Sequence, residues 1–286
     1  MYIVYVLLSA LCLGFYEVLK KISLRKSSVY ETLFFYCLCG FLCSLIFTNI
    51  DFFDVSGRGI LILLLKSGIL VINWLLVLVA NKKLDVGIVS AFSLLRSVFI
   101  LFESALFFSE KITWVHIASL IIMGIGIILT TLLSNKERKE SKKNHYIYIG
   151  ILVVAALLGS FSASLDKYII SIENINRSTA LSWYLMFNTV IYGVVYFIKD
   201  KKIDFSKLKT NYFLPLTGLG ICLADTFYFL ALSQDDAQLS MVSILRRLSI
   251  IIATILASLF LKEKDLLKKL GILALMLVGV ALPIIF

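Results

Sequence analysis

Ten runs of apolar residues recur along the chain, each close to the ~20 residues that cross a ~30 Å hydrocarbon core as a helix. They fall at about residues 2–22, 29–48, 59–81, 85–107, 113–133, 146–172, 178–199, 212–234, 239–261 and 266–286. Short polar stretches separate them, which predicts antiparallel neighbours. The prolines, Pro215 and Pro283, lie near the ends of their runs, so few helices have a proline to kink them. The first run has no basic segment ahead of it and reads as a retained span, not a cleaved signal.

Sliding the chain against itself by about 150 residues sets Ser90, Leu95 and Arg96 on Ser240, Leu245 and Arg246. After a shift of about three more, Ser109-Glu110-Lys111 meets Lys262-Glu263-Lys264, Met123 meets Met276 and Gly126 meets Gly279. An ordered series through two helices and their turn points to an internal repeat. Five spans is an odd number, so consecutive copies must sit upside down to one another. The expected fold is therefore an all-α, polytopic membrane protein of ten transmembrane helices in two inverted five-helix repeats. These are residues 1–135 and 146–286, with a basic cytoplasmic linker at 136–145.

Composition agrees. The chain is 60% hydrophobic and 16% charged, with a mean hydropathy of +0.97, whereas soluble domains are roughly 45–50% apolar and about 25% charged. A water-soluble fold is excluded. The net charge of +10 is divided among short loops, which sets topology and does not form a nucleic-acid face. Twenty basic residues fall on one side of the spans, from Lys20 and Lys21 through the linker to Lys268 and Lys269, against five at most on the other. That bias makes the rich side cytoplasmic and places both termini outside the cytoplasmic membrane.

An ionised group at mid-bilayer costs roughly 2.5–3.5 kcal/mol on insertion scales, so each one needs a partner, a wet cavity or a task. This filter selects Glu17 in span one, Arg96 and Glu103 in span four, Asp166 in span six, Asp225 in span eight, and Arg246 with Arg247 in span nine. The repeat relates Arg96 to Arg246. Two guanidinium groups facing one cavity suit a carboxylate or phosphate, or each neutralises a helix carboxylate such as Glu17, Glu103 or Asp225. Cysteines 12, 37, 39, 43 and 222 read as packing residues, and His116 and His145 lack metal-ligand spacing. No cofactor or metal is expected. Trp183 and Tyr184 suit an interfacial belt, and Asn188 an interhelical hydrogen bond. Ala118 with Gly126, and Gly271 with Gly279, make small faces for close helix packing, with homodimerisation a second use of the same face.

The run from Val86 to Leu132 contains Gly87, Ser90, Arg96, Phe107-Phe108-Ser109-Glu110-Lys111-Ile112-Thr113 and Gly124-Ile125-Gly126. It resembles the end of an EamA-type repeat of the drug/metabolite transporter superfamily. Leu245-Arg246 through Leu261-Lys262-Glu263-Lys264 to Gly271 and Gly279 resembles the second copy. The resemblance implies a ten-helix carrier whose cavity is lined by spans one, three, four, six, eight and nine. Where the family's fourth span often has proline, this chain reads Leu94-Leu95-Arg96-Ser97, which removes the usual cause of a kink. The family's commonly described cytoplasmic termini also differ from the charge count, and the orientation given above follows the count.

On this resemblance Asn73, Trp74 and Tyr228 are cavity-wall groups, and Arg96 and Arg246 the leading solute contacts. Glu17, Glu103, Asp166 and Asp225 remain for proton coupling or charge pairing. The expected function is secondary transport of a small polar solute, anionic or zwitterionic by the arginines, with the bilayer and a coupled proton or ion as further partners. A flippase for a lipid-linked substrate is the runner-up. An integral membrane enzyme is disfavoured by the lack of a nucleophile or metal cluster.

Overall fold

The computed structural model describes residues 1–47, 55–84, 88–89, 92–137, 142–261, 271–272, 274–279 and 282. Those residues form helices: α1 (Tyr2–Ser23), α2 (Val29–Phe47), α3 (Gly57–Lys83), α4 (Leu95–Phe108), α5 (Trp114–Glu137), α6 (Lys142–Ser171), α7 (Arg177–Asp200), α8 (Phe213–Leu232), α9 (Leu239–Arg246) and α10 (Leu248–Leu261). A five-residue helical turn, Ser206–Thr210, precedes α8. Seven of the described stretches are long and apolar enough to span a membrane: Tyr2–Ser23, Val29–Ile46, Gly57–Lys83, Tyr146–Ser171, Arg177–Asp200, Phe213–Leu232 and Leu239–Phe260. Trp114–Gly126 is a shorter apolar helix. The chain is all-helical and polytopic; most of the expected tenth span, and the centre of the expected linker, lie outside the described residues.

Local chemistry fixes the helix starts. Ser28 and Glu31 form a capping box at α2: Glu31 N donates to Ser28 Oγ (3.2 Å) and Ser28 N to Glu31 Oε2 (2.7 Å). Ser56 caps α3 by accepting from Gly59 N, and Asn176 caps α7 by accepting from Ser178 N. At the end of α4, Ser109 turns into the left-handed region with φ 52°.

The bundle is apolar outside and polar inside. Phe15, Leu61, Ile72, Phe102, Leu106, Ile121, Val154 and Val194 are exposed, whereas Lys66, Asn73, Asp166, Asn188, Asp225, Arg246 and Arg247 are buried. In water that arrangement leaves large apolar faces uncovered; in a bilayer those faces meet acyl chains. α1 packs on α8 and α10, α6 on α3 and α4, α2 on α7 and α8, and α7 also on α3.

The fourth and ninth spans are both interrupted. The fourth turns at Ser93 and Leu94, where Arg96 N bonds Ser93 O and Ser97 N bonds Leu94 O. The ninth breaks at Arg247, between α9 and α10. So the fourth span is broken without a proline. Across the bundle Arg247 Nη1 donates to the same Ser93 carbonyl (3.2 Å) that accepts from Arg96 N, and to Ser93 Oγ (3.1 Å), so the turn is held by a side chain from the other half.

Two contacts are reciprocal under the sequence repeat. Ser97 Oγ lies 2.9 Å from Ser243 Oγ, and Arg247 meets Ser93; sliding the chain by about 150 residues exchanges these pairs. Likewise a Cβ on Gly126 would stand 2.5 Å from Met276 Cγ, and one on Gly279 would stand 2.9 Å from Met123 Cγ. Gly126 and Gly279 thus serve close packing inside the molecule. Gly271 has nothing against it.

Candidate functional site

Where these helices converge they enclose a cavity of about 130 Å³. Its wall takes Glu17 and Lys20 from α1, Lys66, Asn73 and Trp74 from α3, and Arg96 from α4. From the other half it takes Asp166 from α6, Tyr184 from α7, Asp225 and Tyr228 from α8, Arg246 from α9, and Arg247. Each ionisable side chain reaches this wall from the interior stripe of an otherwise apolar helix, the position at which a charge in a membrane segment is tolerated.

Most of these charges are matched. Arg246 Nη2 lies 2.5 Å from Asp225 Oδ1, and its guanidinium carbon sits 4.3 Å from the centroid of the Tyr228 ring. Tyr184 donates its hydroxyl to the other Asp225 oxygen. Lys66 Nζ pairs with Asp166 Oδ1 at 3.0 Å and stands 3.7 Å from the Tyr184 ring centroid. Glu17 pairs with Lys20 one turn on, at 2.7 Å. Arg247 is bonded to backbone: Nε donates to Ser243 O and Nη1 to Ser93 O.

Arg96 is different. Its side chain makes no ion pair and no hydrogen bond among the described residues, although Asp166 and Asp225 lie near enough to attract its charge, and its Nε is buried without an acceptor. It lies beside Asn73 over Gly159 of α6, where a Cβ would stand 2.5 Å from Asn73 Nδ2 and 3.2 Å from Arg96 Cδ. Gly159 gives both side chains their room. Tyr228 Oη and Arg246 Nε are also buried without a partner.

Of the residues singled out from sequence, Arg96, Arg246, Asn73, Trp74, Tyr228, Glu17, Asp166 and Asp225 all line this cavity. Glu103 does not. It faces α6, where Ser160 Oγ (2.6 Å) and Ser164 Oγ (2.5 Å) donate to its two oxygens. Tyr184 is not at an interface: it lies two turns into α7, wholly buried on Asp225. Asn188 is fully buried, and neither of its amide atoms finds a partner among the described residues. Lys66 is a further wall residue that the filter for mid-span charges did not select, although its place inside the apolar run 59–81 carries the same signal as Asp166. No group of three metal-ligating side chains occurs among the described residues.

Away from the cavity wall, Glu110, in the turn after α4, ties that turn to α6 and to the start of α9. Its Oε1 accepts from Lys167 Nζ (2.6 Å) and Leu239 N (2.7 Å), and its Oε2 from Ser240 N (3.2 Å) and Ser240 Oγ (2.6 Å). A carboxylate thus caps the start of α9, where the helix dipole favours negative charge. Burial pushes the Glu110 carboxyl up, but the bonds from Lys167 and Ser240 outweigh it and hold it below the usual carboxylate range. Arg58 adds a bond to Tyr168 (2.8 Å) and an exposed ion pair with Glu173 (3.2 Å) at the same end of α6. Lys167 also lines a separate polar pocket of about 620 Å³, with Asn174, Arg177, Gln234 and Asp235 among others.

A family model described as "EamA-like transporter family" matches this chain twice, over residues 1–132 and 146–285. No curated protein matches. A solved structure titled only "Crystal structure of protein" superposes with a TM-score of 0.66, covering 96% of each chain at 14% identity, a likeness of fold alone.

Proposed function

The chain belongs to the EamA-like transporter family, within the drug/metabolite transporter superfamily, and from that premise we propose that it is a secondary transporter. It carries a small polar solute, a metabolite or drug, across the cytoplasmic membrane by alternating access, and the central cavity is the carrying site. The observation that supports this most is the cavity itself: both matched segments wall it, and it gathers the membrane-embedded charges of six helical spans.

The ten-span, inverted five-plus-five architecture is part of the same proposal. It is supported by the two reciprocal contacts, Ser97–Ser243 with Arg247–Ser93 and Gly126–Met276 with Gly279–Met123. Matching interruptions near Arg96 and Arg246 place broken helices beside the cavity, as expected of a carrier that binds solute near the midplane.

On this reading, opening toward the Glu110 side requires Glu110 to release Lys167 and the start of α9, beside which lies the polar pocket that Lys167 lines. The charge count makes that pocket face outward, with both termini on its side.

The test is transport itself. Purified protein reconstituted in liposomes is screened for solutes that raise its apparent Tm, and each hit is followed by counterflow. Saturable counterflow that Gly159→Leu abolishes supports the proposal. Saturable binding with no solute movement in any orientation or ion gradient overturns it.

A further inference from the structure

We infer that the solute carries an anionic group, a carboxylate or a phosphate, and that Arg96 is the residue that receives it; this deepens the transport reading and rests on it. Five basic side chains line the cavity, Lys20, Lys66, Arg96, Arg246 and Arg247, against three acidic ones, Glu17, Asp166 and Asp225. Three ion pairs join Lys20 to Glu17, Lys66 to Asp166 and Arg246 to Asp225. Two positive charges are left. Arg247 is bonded to the Ser243 and Ser93 carbonyls, neutral acceptors that fix its position. Arg96 has no acceptor among the described residues.

The unpartnered polar atoms on the wall add to this. Glu17 Oε2 and Asp166 Oδ1 make no hydrogen bond among the described residues but face Lys20 and Lys66 in ion pairs; the rest are Arg96 Nε, Arg246 Nε and Tyr228 Oη. Two of these only donate, and the third is a phenol that donates readily. A buried donor left unmade is costly, and a guanidinium with no direct ion-pair partner more so. A group with two or three negative oxygens answers all of them at once, and the planar fork of an arginine suits such a group in a bidentate arrangement. A cation finds every described carboxylate on the wall already holding a basic side chain, and a neutral polyol, whose oxygens accept, brings no negative charge to the guanidinium. Asn73, beside Arg96, adds an amide that bonds a second polar group of the solute.

The deciding experiment measures ligand-induced stabilisation of the purified full chain in detergent. The probes are succinate, inorganic phosphate and glycerol phosphate, with choline and glycerol as cationic and neutral controls. At least one anion is expected to raise the apparent Tm saturably while choline and glycerol do not, and the carboxylate and phosphate arms tell the two chemistries apart. Arg96→Gln is expected to weaken that anion at least tenfold and Arg96→Lys less. Should Arg96→Gln fold poorly, Tyr228→Phe keeps the shape of the wall and is expected to weaken the anion about threefold to tenfold. Stabilisation by choline or glycerol alone, no stabilisation by any anion, or unchanged anion affinity in both variants overturns the inference. Counterflow of a neutral or cationic solute sinks the anion site and leaves the transport reading standing. Saturable anion binding without movement does the reverse.

Discussion

Arg96 and Arg246 hold matched positions in the two halves of the chain, yet their surroundings are opposite. Arg246 is tied to Asp225, and Asp225 is held in turn by Tyr184. Beside Arg96, on the helix that answers to α8 in the five-plus-five reading, stands the neutral Asn73. One acidic side chain separates a structural ion pair from an open cation. A repeat conserves backbone and packing, while replacement of a single partner is enough to turn one copy of a residue toward a ligand.

The largest effect expected from breaking this contrast is at Asp225. Asp225→Asn leaves Arg246 buried without its counter-charge and should cost about 3–5 kcal/mol, read as a fall in apparent Tm in detergent. Arg96→Gln breaks no partner, and its cost without solute should stay under about 1 kcal/mol. Comparable losses from both would erase the distinction.

Next in size is an attempt to make the halves alike. Asn73→Asp offers Arg96 the carboxylate it lacks; stability should rise by about 1 kcal/mol or more, and anion affinity should fall at least tenfold as the added carboxylate competes for the guanidinium. A rise in anion affinity would contradict the contrast.

In the network that joins α4, α6 and α9, Glu110→Gln should lower stability by about 1–3 kcal/mol through loss of the Lys167 ion pair. The pH dependence has a definite sign. A carboxyl held below its unfolded value stabilises the folded state fully above that value, about 4.3 for glutamate, and loses the contribution as pH falls through the folded value. Apparent Tm followed from pH 7 down to 3 should therefore show an acid-side loss in the wild type that shrinks in Glu110→Gln. The smallest effect is expected at Gly159→Ala, whose methyl displaces Asn73 and Arg96. Solute affinity should fall several-fold, a change of about 1 kcal/mol, with little change in stability.

Much of this was legible in the sequence, for a physical reason. Charges inside apolar runs are so unfavourable that they mark the interior, which is why Glu17, Asp166, Asp225 and Arg246 could be assigned to one region before any coordinates. Pairing was not legible. Glu17 pairs along its own helix with Lys20, Asp166 with Lys66 of α3, and Glu103 only with serines, and those choices depend on helix rotation and depth, which hydropathy does not encode. Tyr184 was misplaced for a similar reason: an aromatic near a helix start looks interfacial until the tilt and length of α7 are known. The break in the fourth span was hidden too, since no local proline marks it and the side chain that bonds the turn, Arg247, comes from another helix.

The most direct test is charge movement on a solid-supported membrane carrying proteoliposomes, recorded during a rapid jump of the anion that stabilises the protein. An electrogenic or binding current is predicted in the wild type, lost in Arg96→Gln and restored in part by Arg96→Lys. A wild-type-sized current in Arg96→Gln, in protein shown to be folded by its Tm, would contradict the assignment of Arg96 as the cation that receives the solute.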